Sequence, residues 1–383
     1  MTGTNEQEKK QIKRPRGLKK ASMANKKAKV EEPETDLNEE DMTLVMEGDV
    51  DEVEELRLIY ESACEKLAED QDKGKLLLNG TVHEADRLLR NWGEEPVPSK
   101  FYLTYGSALF DLSELQDKPE DATEYLNIAI ERLDSALEKA KEEGNEKFWE
   151  LNFVVGKAYL SKARITRETS KEDDSELVKK ALEHFEVVFD SIPKEDEDAE
   201  VSRKLNALNV AAELIRLYTE VYNDWEEKEK LYKWAEEKFT NLLQVNESYF
   251  QTLVSLGGCY LAMANSRLEK LDDDKEEEEE DEEETPTDDL AKEYLEKAIK
   301  HLTAAESRID GGGVEVSRLL TLLGEAQINL GNMEENEEAQ YALYQQAVDN
   351  LKKASTVGGE DFALPEQFGD FLEEWENELQ DEN

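Results

Sequence analysis

The side chains best suited to catalysis or metal binding stand far apart in this sequence. The three histidines, His83, His184 and His301, have no cysteine or second histidine at metal-ligand spacing. The two cysteines, Cys64 and Cys259, have no recognisable general base beside them, and the many carboxylates form no specific acid–base pair. We therefore predict no catalytic residue, no metal site and no enzyme activity, and we interpret the histidines as packing or surface residues.

One glycine run resembles a phosphate-binding loop only superficially. Gly311-Gly312-Gly313 precedes a helical pattern, but no Lys-Ser or Lys-Thr follows it and no strand precedes it. A phosphate loop needs those features, because the lysine and the helix N-terminus hold the phosphates. The run is interpreted as a flexible turn, and no cofactor is expected.

Composition points to a helical protein with a strongly acidic surface. The 383 residues include only 8 prolines and 19 glycines, and 95 acidic residues against 47 basic ones give a formal charge of −48. Such a surface repels phosphate backbones and anionic lipids, so the body is expected to bind neither nucleic acid nor membranes. With two distant cysteines and no long apolar run, the sequence predicts a soluble protein in a reducing compartment.

Apolar residues recur at helical spacing in units of two helices. The clearest unit spans Lys147 to Pro193, in which Gly156 and Tyr159 share one side of the first helix. Ala181 and Phe185 lie on the second helix. A small residue lets two antiparallel helices approach closely, and an aromatic ring fills the space beside it. This pattern is typical of tetratricopeptide-like helical pairs.

Six copies of this unit are predicted, at 49–92, 101–140, 147–193, 199–242, 256–305 and 323–354. Each second helix carries a signature alanine, and these are Ala85, Ala129, Ala181, Ala235, Ala298 and Ala347. A standard tetratricopeptide unit has about 34 residues, whereas these alanines are 44 to 63 residues apart. The sequence thus predicts an all-α fold of degenerate tetratricopeptide-like helical-pair repeats stacked as a solenoid; the alternative is a generic helical bundle.

The predicted domain organisation has two parts. Residues 1–45 form a disordered tail, basic and then acidic, and residues 46–383 form the repeat domain. An acidic loop, 272–288, interrupts the fifth pair, and it is either a spacer or a binding site for basic peptides. An amphipathic helix at 364–380 is expected to cap the last pair, because a stacked array leaves an open apolar side at its end; the alternative is a docking face for a partner.

Partner binding is expected on the first helix of each pair, which lines the inner wall of such a repeat array. Counting from the marker glycines, the candidate groove residues are Lys157, Ser161, Gln251, Arg318 and Asn329.

The basic tail is typical of a bipartite nuclear-localisation signal. Ten Lys or Arg and no acidic residue occur from Lys9 to Lys29. Import receptors read two such clusters on an extended backbone, and the candidate residues are Lys13, Arg14, Arg16, Lys19, Lys20, Lys26, Lys27 and Lys29. The alternatives are a solvated tail or a weak RNA-binding arm. We predict a nuclear protein that binds a nuclear import receptor, and a cytoplasmic pool is left open.

The layout resembles the fungal enhancer-of-translation-termination family. The resemblance lies in the head, Lys13-Arg14-Pro15-Arg16-Gly17-Leu18-Lys19-Lys20-Ala21, followed by an acidic linker and a body of degenerate helical repeats. The family's head reads Lys-Arg-Pro-Leu-Gly-Leu-Gly-Lys, so Arg16 and Lys19 depart from it. No family motif maps binding residues onto the repeat body.

This resemblance implies a non-catalytic nuclear scaffold. The family includes the nuclear negative regulator of a prolyl-hydroxylase-like 2-oxoglutarate oxygenase, so the implied partner is such an oxygenase. The implied effects are on translation termination and on oxygen-responsive transcription. The acidic charge leaves open a second function, that of a chaperone or assembly factor for basic nuclear or ribosomal proteins.

Overall fold

The computed structural model describes residues 51–170, 173–192, 199–222, 225–277, 288–309, 311–359 and 362–381. Within these ranges the chain forms thirteen α-helices and no strand, which confirms the all-α prediction. The described residues cluster into two compact units, 51–246 and 247–381. We call them the N-terminal unit and the C-terminal unit.

The N-terminal unit contains four helical pairs. Their bounds are α1 (Glu52–Glu69) with α2 (Gln71–Asn91), α3 (Ser99–Glu114) with α4 (Pro119–Glu142), α5 (Trp149–Thr169) with α6 (Ser175–Phe189), and α7 (Ala199–Tyr218) with α8 (Trp225–Val245). A short 3-10 turn, Thr219–Val221, follows α7.

The C-terminal unit contains two further pairs and a final helix. These are α9 (Phe250–Glu277) with α10 (Asp289–Glu306), α11 (Val314–Asn332) with α12 (Glu337–Val357), and α13 (Glu366–Asp381). Helix α9 continues to Glu277, so Asp272–Glu277 belong to it, and residues 278–287 of the expected acidic loop lie outside the described residues.

Local sequence sets where these helices begin. The Asp51 carboxylate accepts hydrogen bonds from the backbone N–H groups of Val53 and Glu54, each 3.0 Å long. Asp288 caps α10 in the same way, and Pro119 occupies the first turn of α4, where its missing N–H is not needed. These caps satisfy donors that a helix N-terminus otherwise leaves unpaired.

The two helices of a pair meet through a glycine on the first and a large residue on the second. A Cβ atom built on Gly106 would stand 2.7 Å from Leu133, and one on Gly257 would stand 2.6 Å from Leu302. Gly324 has the same relation to Leu351, at 2.9 Å. In each case the large residue lies one helical turn after the signature alanine, and all six signature alanines are fully buried. The repeat pattern read from the sequence is therefore a packing pattern.

The final helix covers the last pair. Phe368, Phe371 and Trp375 of α13 are each at most 8% exposed, and they pack with Tyr344 and Leu351 of α12. Fully burying one such side chain stabilises the fold by about 1.5–3 kcal/mol. Without α13 these residues of α12 would lose part of the apolar surroundings that bury them.

Candidate functional site

Two of the three histidines, His184 and His301, pack against aromatic rings, whereas His83 is exposed. His184 Nδ1 is 2.8 Å from Asn152 Oδ1, and its imidazole stacks on the ring of Tyr159 at 6.0 Å. His301 stacks in the same way on Tyr260, at 5.7 Å. Burial lowers the pKa of both imidazoles. This shift favours the neutral ring, which suits a flat packing surface.

No metal-binding cluster of His, Cys, Asp or Glu occurs within the described residues. The glycine run forms a turn: Gly311 and Gly313 have φ angles of 111° and 115°, which favour glycine. The Gly313 N–H donates to the carbonyl of Val357, at 2.7 Å. That N–H is therefore engaged within the protein rather than directed at a phosphate.

The first helices of successive pairs contact one another, α1 against α3, α3 against α5 and α5 against α7. We call this surface the first-helix face of the N-terminal unit. At its centre the Asp111 carboxylate accepts a hydrogen bond from Tyr60 Oη, at 2.7 Å, and Cys64 Sγ lies 3.9 Å from the same oxygen. Burial raises the pKa of Asp111. A carboxylate held in this way loses hydration that a binding partner can replace.

Two predicted groove residues, Lys157 and Ser161, lie on the same face. The Lys157 ammonium stands over the rings of Phe110 and Phe153, 4.7 and 5.6 Å from their centroids. Ser161 Oγ donates to Glu114, at 2.9 Å. Half-buried charges, hydroxyls and aromatic rings are thus brought together on one surface, a combination typical of protein-binding sites.

The other three predicted groove residues belong to the C-terminal unit. Gln251 on α9 and Arg318 on α11 are exposed, whereas Asn329 is half-buried and donates to Asn265 on α9, at 2.8 Å. Asn265 in turn donates to Glu325, at 2.9 Å. Burial raises the pKa of Glu325. This unit therefore carries its own partly desolvated carboxylate where two first helices meet.

Neither carboxylate is among the site residues predicted from the sequence, although the helical register indicates both. Asp111 follows Gly106 by the same interval that separates Ser161 from Gly156 and Asn329 from Gly324. Glu325 immediately follows its marker glycine, as Lys157 does. Aligning the pairs on their glycines would have placed these residues on the first-helix faces.

Two sequence predictions have no structural test. All eight residues of the nuclear-localisation signal lie outside the described residues, and so does most of the acidic loop. Among the described helices, none has an apolar stretch of the length needed to cross a membrane.

Similarity to known proteins places the chain in a family. Residues 11–249 match the family model described as nuclear pore complex subunit Nro1. The chain is 35% identical over 132 residues to a protein of Schizosaccharomyces pombe named negative regulator of ofd1, and the match covers 33% of each chain. It is also 26% identical over 402 residues to enhancer of translation termination 1 of Saccharomyces cerevisiae, covering 90% of this chain and 95% of the relative.

The fold of the chain is similar to that of a solved structure. A structure described as the hypoxic regulator of sterol synthesis Nro1, a nuclear import adaptor, aligns with a TM-score of 0.57 at 22% identity. The alignment covers 84% of this chain and 93% of that one. The nuclear localisation predicted from the basic head agrees with the description of the matched family, and the matched residues include that head. The chain belongs to the Nro1 family, the fungal family that its head and helical-repeat body resemble.

Proposed function

We propose that this protein is a non-catalytic nuclear adaptor that binds a prolyl-hydroxylase-like 2-oxoglutarate-dependent oxygenase and restrains its activity. The observation that carries the proposal is the first-helix face of the N-terminal unit. There Asp111, Lys157 and the rings of Phe110 and Phe153 form a partly desolvated polar and aromatic surface. The name of the fission-yeast relative, negative regulator of ofd1, supports the regulatory part.

The two parts of the chain have separate roles in this proposal. The basic clusters from Lys13 to Lys29 bind a nuclear import receptor, and the helical body binds the oxygenase. One solved relative is described as a nuclear import adaptor, which supports such a division. Through the oxygenase the protein influences oxygen-responsive transcription and translation termination, as the names of the relatives suggest.

The proposal is tested by purifying the tagged protein from its native cells and identifying bound proteins by mass spectrometry. We expect a 2-oxoglutarate oxygenase as the dominant partner. Asp111→Asn should weaken its binding about tenfold, which corresponds to about 1.4 kcal/mol. The matched control is Glu138→Gln, since Glu138 is exposed on the second helix α4. Absence of an oxygenase, or equal binding by both variants, would contradict the proposal.

The formal charge of −48 favours a second candidate function, that of a chaperone for basic nuclear or ribosomal proteins. Salt distinguishes the two functions. Binding that rests on exposed charges weakens steeply as salt screens them, whereas binding to a partly buried face weakens less. The affinity for the recovered partner is measured from about 50 to 500 mM NaCl, a range over which salt screens exposed charges. If the partner is the oxygenase, we expect its affinity to fall only modestly. A steep fall for a basic partner would favour the chaperone function.

A further inference from the structure

Only one of the two carboxylate oxygens of Glu325, in the C-terminal unit, has a hydrogen-bond partner among the described residues. That oxygen accepts from Asn265, at 2.9 Å. The Glu325 side chain is half-buried rather than fully enclosed. No lysine or arginine of the described residues forms an ion pair with Glu325.

The neighbouring amides add one acceptor and one donor beside the Glu325 carboxylate. Asn329 donates to Asn265 and keeps its own carbonyl oxygen available, and Asn265 has a second N–H. A partly desolvated carboxylate between two amides suits an ammonium or guanidinium group on an extended chain. The carboxylate pairs with the cation, and the amides bind the backbone of that chain. Burial raises the pKa of Glu325, and it also strengthens the attraction between this carboxylate and an incoming cation relative to an exposed acid.

We propose that this cluster of Asn265, Glu325 and Asn329 binds a lysine or arginine side chain of the protein's own basic head, residues 9–29. Charge complementarity supports this occupant, because the head carries ten cations and no acid, and no other stretch of the sequence has such a run. Residues 30–50 join the head to the described body. Such a tether makes the contact intramolecular, so the head is present at a higher effective concentration than a free peptide would be.

Binding of the head gives the adaptor a control over import. This step rests on the proposed function, in which the head is the import signal. A head held on the C-terminal unit is withheld from an import receptor.

The experiment compares full-length wild-type protein with Glu325→Gln and with the matched control Glu315→Gln. Glutamine keeps the acceptor for Asn265, so the fold is preserved, and Glu315 is exposed on the same helix. We expect slow tryptic cleavage at Lys9–Lys29 in the wild type and in Glu315→Gln, and faster cleavage in Glu325→Gln. If two thirds of the wild-type molecules hold the head, Glu325→Gln should bind an import receptor about threefold more tightly.

Carbodiimide coupling, which joins a lysine directly to a carboxylate, locates the contact. Coupling in a mixture of ¹⁴N and ¹⁵N protein should give unmixed Glu325–head linkages, as expected for one chain. Equal cleavage and receptor affinity in all three proteins would overturn the proposal, and so would linkages formed only between chains. The assay contains no oxygenase, so its result is independent of whether the body binds one.

Discussion

The Cα atom of Gly156 on α5 lies so close to Phe185 on α6 that a Cβ there would stand 2.5 Å from Cε1 of the ring. Phe185 itself is fully buried. This distance is too short for two non-bonded carbon atoms, so the pair of helices can keep its spacing only with glycine at this position.

Gly156→Leu is therefore expected to force α5 and α6 apart and to destabilise the protein by about 1–3 kcal/mol or more. Thermal unfolding followed by circular dichroism measures the loss. The matched control is Gly80→Leu, because a Cβ at Gly80 meets nothing within 4 Å and leucine favours helix there. If Gly156→Leu left melting unchanged but abolished partner binding, Gly156 would belong to the binding site and not to the scaffold.

Removal of Arg167 should expose the cost of burying the Asp174 carboxylate. Asp174 is 0% exposed, and Arg167 Nε donates to it at 2.7 Å while Tyr218 donates to the same carboxylate. We expect Arg167→Ala to lower the free energy of unfolding by about 3 kcal/mol, because the carboxylate loses its cation. Arg87→Ala is the control, and it should cost at most about 1 kcal/mol, since Arg87 pairs with Glu84 on the surface.

The Arg167–Asp174 ion pair predicts that the stability of the protein depends on pH. Burial by itself would raise the pKa of Asp174, but the hydrogen bonds from Arg167 and Tyr218 outweigh it and hold that pKa below the ordinary value. An aspartate whose pKa is lowered by folding stabilises the folded state at any pH above its ordinary pKa of about 4. This stabilisation is lost as the pH falls through the lowered pKa. The difference between wild type and Arg167→Ala should therefore be complete at pH 7 and should shrink below about pH 4. A constant difference in denaturant unfolding across this range would show that Asp174 is not the titrating group.

Asp111→Asn is expected to separate stability from binding. Burial raises the pKa of Asp111, so ionising this side chain costs more free energy in the folded chain than in the unfolded chain. Asparagine keeps an acceptor for Tyr60 and removes the charge. Thermal unfolding at pH 7 should therefore be unchanged or shifted upward, while partner binding weakens. A large fall in the melting temperature would instead assign Asp111 a structural role.

The basic head is tested in cells. Replacing Lys13, Arg14, Arg16, Lys26, Lys27 and Lys29 with alanine should leave a fluorescent fusion in the cytoplasm, because an import receptor then has no cationic cluster to read. Replacing an equal number of lysines on the helical body is the control for the change in charge. A nuclear signal unchanged by the six substitutions would contradict the predicted signal.

The sequence by itself determined the repeat units. Small residues at fixed helical positions, followed by large apolar residues, are typical of two closely packed helices. Gly156 and Ala181 therefore predict a helical pair from the sequence alone. The caps at Asp51 and Asp288 are equally local, since each carboxylate bonds N–H groups two or three residues away.

Only the tertiary structure decided which polar residues meet across pairs. Tyr60 and Asp111 lie on different pairs, as do Asn265 and Glu325, and no short-range pattern brings them together. Their contact depends on how successive first helices stack, which is set by the summed packing of many side chains. The desolvation of Asp111 and Glu325 arises from that stacking, because burial is a property of the fold and not of the residue.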